Sequence, residues 1–296
     1  MAITVGSAPD SWGIWFPSEP RQTPWNRFLD EIAAAGYEWT ELGPFGYLPT
    51  DPKVLRQEMD RRGLKVTGSF IQAHLDRPEE AWPVIEKQLR GWGPIFNEFG
   101  AKFLVLIDET YTNLFTGEPL ASPRLDAASF QRLIDTTHRL ARVAKEDYGL
   151  QLAFDPHAET HVEYADQMEA FLEGTDPDLV FMVLDTGHFA YRHGDNVDFM
   201  RRHHKRIPYL HLKSVDPLMR DRVAAEKIPF AKAVSMDMFV EPAKGAVDFL
   251  EFRDLLRELD YTGFGMVEQD MFPAPFDKPL PIAKRTRAYL REIGIG

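Results

Sequence analysis

Eight short apolar runs, each followed by a longer amphipathic stretch, constrain this 296-residue chain more than any other feature. The runs fall at 3–6, 39–42, 65–70, 103–107, 150–154, 181–184, 209–212 and 265–268. The stretches at 25–35, 52–62, 79–98, 127–147, 164–173, 197–203, 248–259 and 282–293 read as helices, the first carrying Phe28, Ile32 and Ala35 on one face. Strict alternation implies parallel pairing, because each helix returns the chain to the start of the next strand. Eight units in a chain of this length favour closure into one (β/α)8 barrel, an α/β fold, over an open doubly wound sheet.

Local punctuation agrees. Asp51 and Asp126 stand where N-caps belong, and Gly36, Gly63 and Gly149 follow helical stretches and precede strands. No linker, low-complexity tract or charge block divides residues 1–296, which therefore read as one domain. The stretches 108–125 and 215–246 are too long for tight βα turns. They suit lids, substrate walls, subunit contacts or plain padding.

Composition excludes several functions. A net charge of −12 repels nucleic acid and anionic membranes. The absence of cysteine rules out disulfides, thiolate metal sites and cysteine nucleophiles. The opening residues lack a basic-then-apolar leader, and no apolar run has the length of a membrane span, so a cytoplasmic location is expected. No phosphate-cradling, dinucleotide or nucleophile-elbow motif occurs in a suitable context.

Three strands end on polar residues: Asp185, His211 and Glu268. The C-terminal tips of parallel strands are where ligands bind, and an Asp, a His and a Glu gathered there suit a divalent metal. Asp185 opens Asp-Thr-Gly-His188, where it could equally cap the next helix. Lys213 shares the face of His211, and is either turned to a carboxylate or substrate oxygen or simply solvated beyond the strand. After strand five come Asp155, His157, Glu159, His161 and Glu163, of which one or two should face the site. Earlier strand tips offer Glu41, Gln72 and His74 as substrate contacts, and Trp12 and Trp15 as stacking surfaces for a sugar.

On these pieces, with Ala8-Pro-Asp-Ser-Trp-Gly13, Glu41-Leu-Gly-Pro-Phe-Gly-Tyr-Leu-Pro49, Asp185-Thr-Gly-His188 and His211-Leu-Lys213 most telling, the chain resembles the xylose-isomerase-like sugar phosphate isomerase/epimerase superfamily. Within it the resemblance is to the inosose dehydratase branch, over essentially the whole chain. It implies a TIM barrel and a divalent ion, Mn²⁺ foremost, with Co²⁺, Mg²⁺ or Zn²⁺ as other occupants. Asp185, His211 and Glu268 match three of the four ligand positions. The fourth, a Glu on strand five, falls here at Ala153 or Phe154, so Glu163 is the first choice to replace it and Asp155 the other.

The implied reaction is a dehydration of a keto-cyclitol or keto-sugar through α-proton removal and β-elimination. His157, Glu163 and His188 are then acid/base candidates, and Lys213 would hold a substrate oxygen. The alternatives are a ketose isomerase or epimerase and, more distantly, a non-enzymatic sugar-binding barrel. Pairing into a homo-oligomer through the βα loops would be in keeping with the resemblance.

Overall fold

The computed structural model describes residues 2–296 and turns each apolar run into a parallel strand: β1 Ala2–Ser7, β2 Trp39–Thr40, β3 in two segments Lys65–Val66 and Gly68–Ala73, β4 Phe103–Asp108, β5 Gln151–Asp155, β6 Val180–Asp185, β7 Tyr209–Leu212 and β8 Thr262–Val267. Neighbours in sequence are neighbours in space, and β1 pairs with β8 from Ala2↔Thr262 to Ser7↔Val267. The break in β3 closes the ring. Its first segment pairs with β2 and its second with β4. Thr67, between them, donates its N–H to Thr40 at 3.1 Å and accepts from Phe103 N–H at 3.2 Å. The eightfold alternation thus gives a closed TIM barrel with helices outside.

Side chains alternate along each strand, which divides the core in two. Leu104, Leu106, Leu152, Phe154, Met182, Leu184, Leu210 and Leu212 face the helices. Phe103, Val105, Ala153, Val183, Tyr209 and Met266 fill the barrel interior, with the Phe103 and Tyr209 rings 4.7 Å apart. Interior packing plugs the barrel below the strand tips, and a cavity opens above it at the mouth.

The helices match the amphipathic stretches, and Asp51 and Asp126 cap theirs through backbone N–H groups. The long stretch after β7 is more ordered than its sequence suggests. It holds helices Pro217–Glu226 and Phe230–Ser235 and a short antiparallel ladder of Ser214–Val215 with Phe239–Val240. The first of these helices buries only Val223 and the second is too short to show a period, so neither has a readable apolar stripe. No helix among the described residues is long and apolar enough to cross a membrane.

Gly68 begins the second segment of β3 where strands crowd: a Cβ there would lie 2.0 Å from the Phe103 carbonyl oxygen. Gly68→Ala is expected to cost at least about 1–3 kcal/mol. Urea unfolding should show the midpoint fall; an unchanged midpoint would mean that β3 and β4 can part locally without loss.

Candidate active site

The mouth of the barrel holds a cavity of about 350 Å³. One side is apolar, built from Trp15, Phe16, Phe70, Phe115 and Phe230. Trp15 and Phe16 come from the loop after β1, and Phe115 from the long loop after β4. The other side is ionic. Six carboxylates, Asp10, Glu41, Asp155, Asp185, Glu268 and Asp270, surround His211 and Lys213.

His211 organises the centre. Glu41 Oε1 lies 3.1 Å from its Nε2, and the Tyr209 hydroxyl donates to the same oxygen at 2.7 Å. That partner fixes the proton on Nε2 and turns Nδ1 to the other carboxylates. Nδ1 stands 3.5 Å from an oxygen of each of Asp155, Asp185 and Glu268. Donors around one ion at about 2.1 Å stand roughly 3.0–3.4 Å apart, from octahedral to tetrahedral, so this spacing is near that of a coordination shell.

Asp185 performs two tasks with its two oxygens. Oδ1 accepts from Gly187 N–H and His188 N–H, each at 2.8 Å, and caps the helix Thr186–Tyr191. Oδ2 faces the cage, 3.0 Å from Lys213 Nζ. Lys213 is buried, not solvated, and its ammonium also meets Glu268 at 2.8 Å, Asp270 at 3.3 Å and His188 Nε2 at 3.1 Å.

The cage is short of positive charge. Burial, then the charges of Asp185 and Glu268, push the Asp155 carboxyl up to about 8 despite the pull of His211. Burial, Glu268 and Asp270 likewise raise Asp10 well above the usual carboxylate range. Asp185 goes the other way: burial opposes its charge, but Lys213 and His188 outweigh it. Asp155 Oδ1 and His211 Nδ1 are buried without hydrogen-bond partners, and Asp185 Oδ2 is held by its ion pair with Lys213. An orphaned carboxylate oxygen and imidazole nitrogen, with surplus negative charge and no thiol, fit a divalent cation.

His157 and His188 lie against each other beside the cage, ring centroids 3.9 Å apart and planes tilted by 49°. Burial, then Lys213, lowers the His157 pKa below its ordinary value; burial, His157 and Lys213 lower that of His188 further. Both imidazoles are therefore neutral at pH 7. His157 Nδ1 lies 2.8 Å from the Ala158 carbonyl oxygen. A carbonyl only accepts, so the proton is on Nδ1 and the Nε2 lone pair is free. In His188 the ammonium of Lys213 must donate to Nε2, which makes His188 a support for Lys213.

The structure brings together Asp185, His211, Glu268, Lys213, His157, His188 and Glu41, with Gln72 on the cavity wall. It separates three expected members. Glu163 is engaged elsewhere, with the Tyr111 hydroxyl at 2.5 Å, Glu159 N–H at 2.7 Å and Arg192 Nε at 2.6 Å. Asp155, the last residue of β5, faces the cage instead, 3.5 Å from His211 Nδ1. Trp12 is fully buried, packs on Phe28 and donates to Glu31 at 2.9 Å, so Trp15 supplies the aromatic surface. His74 is not on the cavity wall. Sequence reasoning passed over Asp10, Asp270, Phe16 and Phe230 as site residues. Asp10 and Asp270 each lie a few residues past a strand end, the one signal that pointed to them.

The chain was compared with known proteins. A family model described as xylose isomerase-like TIM barrel matches residues 29–293. The inosose dehydratase of Geobacillus kaustophilus (strain HTA426) is 31% identical over 296 residues, covering 97% of this chain and 93% of that protein. Among solved structures, the IOLI protein with a binding zinc atom superposes with a TM-score of 0.72 at 17% identity, over 97% of this chain and 98% of that one. D-allulose 3-epimerase from Methylomonas sp., in complex with D-allulose, gives 0.67 at 16% identity, over 98% and 97%. The likeness to these two structures is one of fold. With its full-length similarity to a dehydratase, the protein is an enzyme of lyase or isomerase/epimerase type, and the chain belongs to the xylose isomerase-like TIM barrel family.

Proposed function

We propose that this enzyme is a dehydratase that removes water from a keto-cyclitol or keto-sugar, with a divalent ion held by Asp155, Asp185, His211 and Glu268. Mn²⁺ is the first choice, because the donor set is rich in carboxylate and has no thiolate. Bound there, the ion would supply Lewis-acid polarisation of the substrate carbonyl. The observation that carries the reading is His157: a neutral imidazole on the cavity wall, its Nδ1–H tied to Ala158 and its Nε2 free to take a proton. The full-length similarity to an inosose dehydratase supports the same choice.

The remaining residues have roles that follow from their surroundings. His157 Nε2 removes the proton α to the carbonyl. Asp10 lines the same cavity, its pKa raised by burial and by the charges of Glu268 and Asp270, and is assigned the proton given to the departing hydroxyl, which leaves as water. Trp15 and Phe115 cover the apolar face of the ring and keep bulk water out. Glu163, committed to Arg192, drops out of both the ligand set and the acid/base set. Return of the abstracted proton without loss of water would make the enzyme an epimerase or isomerase, the second reading.

Incubated with Mn²⁺ and 2-keto-myo-inositol, the protein should release water and develop enone absorbance; a 3-keto-glucoside should instead lose its glycosidic oxygen as the aglycone alcohol, since its β-carbon carries no hydroxyl. Deuterium uptake at the α-carbon without elimination would select the epimerase reading instead. His157→Gln should lower kcat by about 10²–10⁴-fold while bound metal, read by elemental analysis, stays constant; near-normal kcat would remove His157 from the reaction. The base acts when neutral and its pKa lies below the ordinary 6.5, so the His157-dependent rate should rise with pH only in the acid range and be level through pH 7. Asp155→Asn should weaken Mn²⁺ binding at least about tenfold, a scale reached by changing even a group that merely supports a ligand. Glu163→Gln should leave binding unchanged, and calorimetry showing the reverse pattern would return Glu163 to the cage.

A further inference from the structure

A second cavity, of about 380 Å³, adjoins the first and has the opposite electrostatic character. Thr112 and Phe230 line both, so the two share a wall. Arg192, Arg220 and Lys227 line the second, and each keeps donors that the described residues do not use. Arg192 gives Nε to Glu163 and Nη2 to Glu159 and the Tyr111 hydroxyl, leaving Nη1 without a partner. Arg220 gives Nε to Asp221 and Nη1 to the Ala190 carbonyl, leaving Nη2. Lys227 ends the helix Pro217–Glu226 in left-handed backbone, φ 52°, and its ammonium forms no ion pair among the described residues.

A fourth donor is a tyrosine. Tyr191 is 7% exposed and lines this cavity, yet its hydroxyl bonds to none of the described residues. Burial pushes its pKa up to about 12, so it stays a neutral donor. Glu159 is the carboxylate on the wall, and it is already committed, Oε1 to Arg192 at 2.9 Å and Oε2 to the Thr112 hydroxyl at 2.8 Å. Two guanidinium edges, an ammonium and a phenol, faced by one carboxylate that is already committed, call for a ligand rich in negatively charged oxygen.

We propose that this second cavity is a binding site for a small molecule bearing a carboxylate or phosphate group. Such a group is repelled by the carboxylates of the catalytic cavity and attracted across the shared wall. Its source is either an acidic arm of the substrate or a separate anionic effector.

Calorimetric titration of the intact protein with inorganic phosphate, in chloride-matched buffer, measures binding without turnover, so the result stands apart from the dehydratase reading. Saturable binding is expected. Arg220→Ala should weaken it at least about tenfold, the scale of one lost charge-assisted hydrogen bond. Lys227→Asn should do the same with little risk to folding, since Asn tolerates left-handed backbone. A thermal melt of each variant confirms that it is folded. With a turned-over substrate in hand, phosphate that raises KM at constant kcat takes the place of a substrate-borne acid, whereas a change in kcat marks a separate effector. No saturable binding beyond the chloride control, or binding that both substitutions leave intact, overturns the proposal.

Discussion

The mouth of this barrel depends on a closure centred on Thr67, with Leu42 N–H donating to the Gly68 carbonyl and the Ser69 hydroxyl to that of Gly43 beside it. Thr67 interrupts β3, sends its N–H to Thr40 and receives Phe103 N–H at its carbonyl, which joins the two ends of the sheet. Its side chain extends the link upward. The Tyr209 hydroxyl lies 2.9 Å from Thr67 Oγ1 and donates to Glu41, and Glu41 fixes the ring of His211. The fold and the orientation of the central imidazole are therefore one connected chain of hydrogen bonds.

The same economy recurs around the cage, where the groups that face inward are anchored by their other atoms. Asp185 caps a helix with one oxygen and offers the second to the site. His211 gives one nitrogen to Glu41 and keeps the other for the three carboxylates. Such anchoring removes rotational freedom before any ligand arrives, which is how a site holds geometry to a few tenths of an ångström.

The parts of this picture that were legible in the sequence are those set by strand periodicity. Asp185, His211 and Glu268 could be read because each closes an apolar run, and a strand end is a fixed place in a barrel. Loop residues carry no such coordinate. Trp12 and Trp15 lie three apart, and only the folded loop shows that the first packs inward on Phe28 while the second faces the cavity. Glu163 was the natural replacement for a missing carboxylate until Arg192, from a helix beyond β6, occupied it. Asp155 was open to sequence reasoning as the second choice, and its place as the last residue of β5 turns it to the cage. Pairings between distant loops, such as Arg192 with Glu159 and Glu163, leave no spacing to find.

Lys213 deserves a different reading from that of a substrate contact alone. A buried ammonium touching Asp185, Glu268 and Asp270 is costly to desolvate and would be poor value as a stabilising salt bridge. It is a resident counter-ion, tethered to the backbone, that offsets the carboxylates around it. A cage with its own counter-ion would hold its shape before the proposed ion arrives and after it leaves. The divalent ion proposed for this cage would then be an exchangeable component of a finished protein, in contrast to small domains whose folding is the act of metal capture.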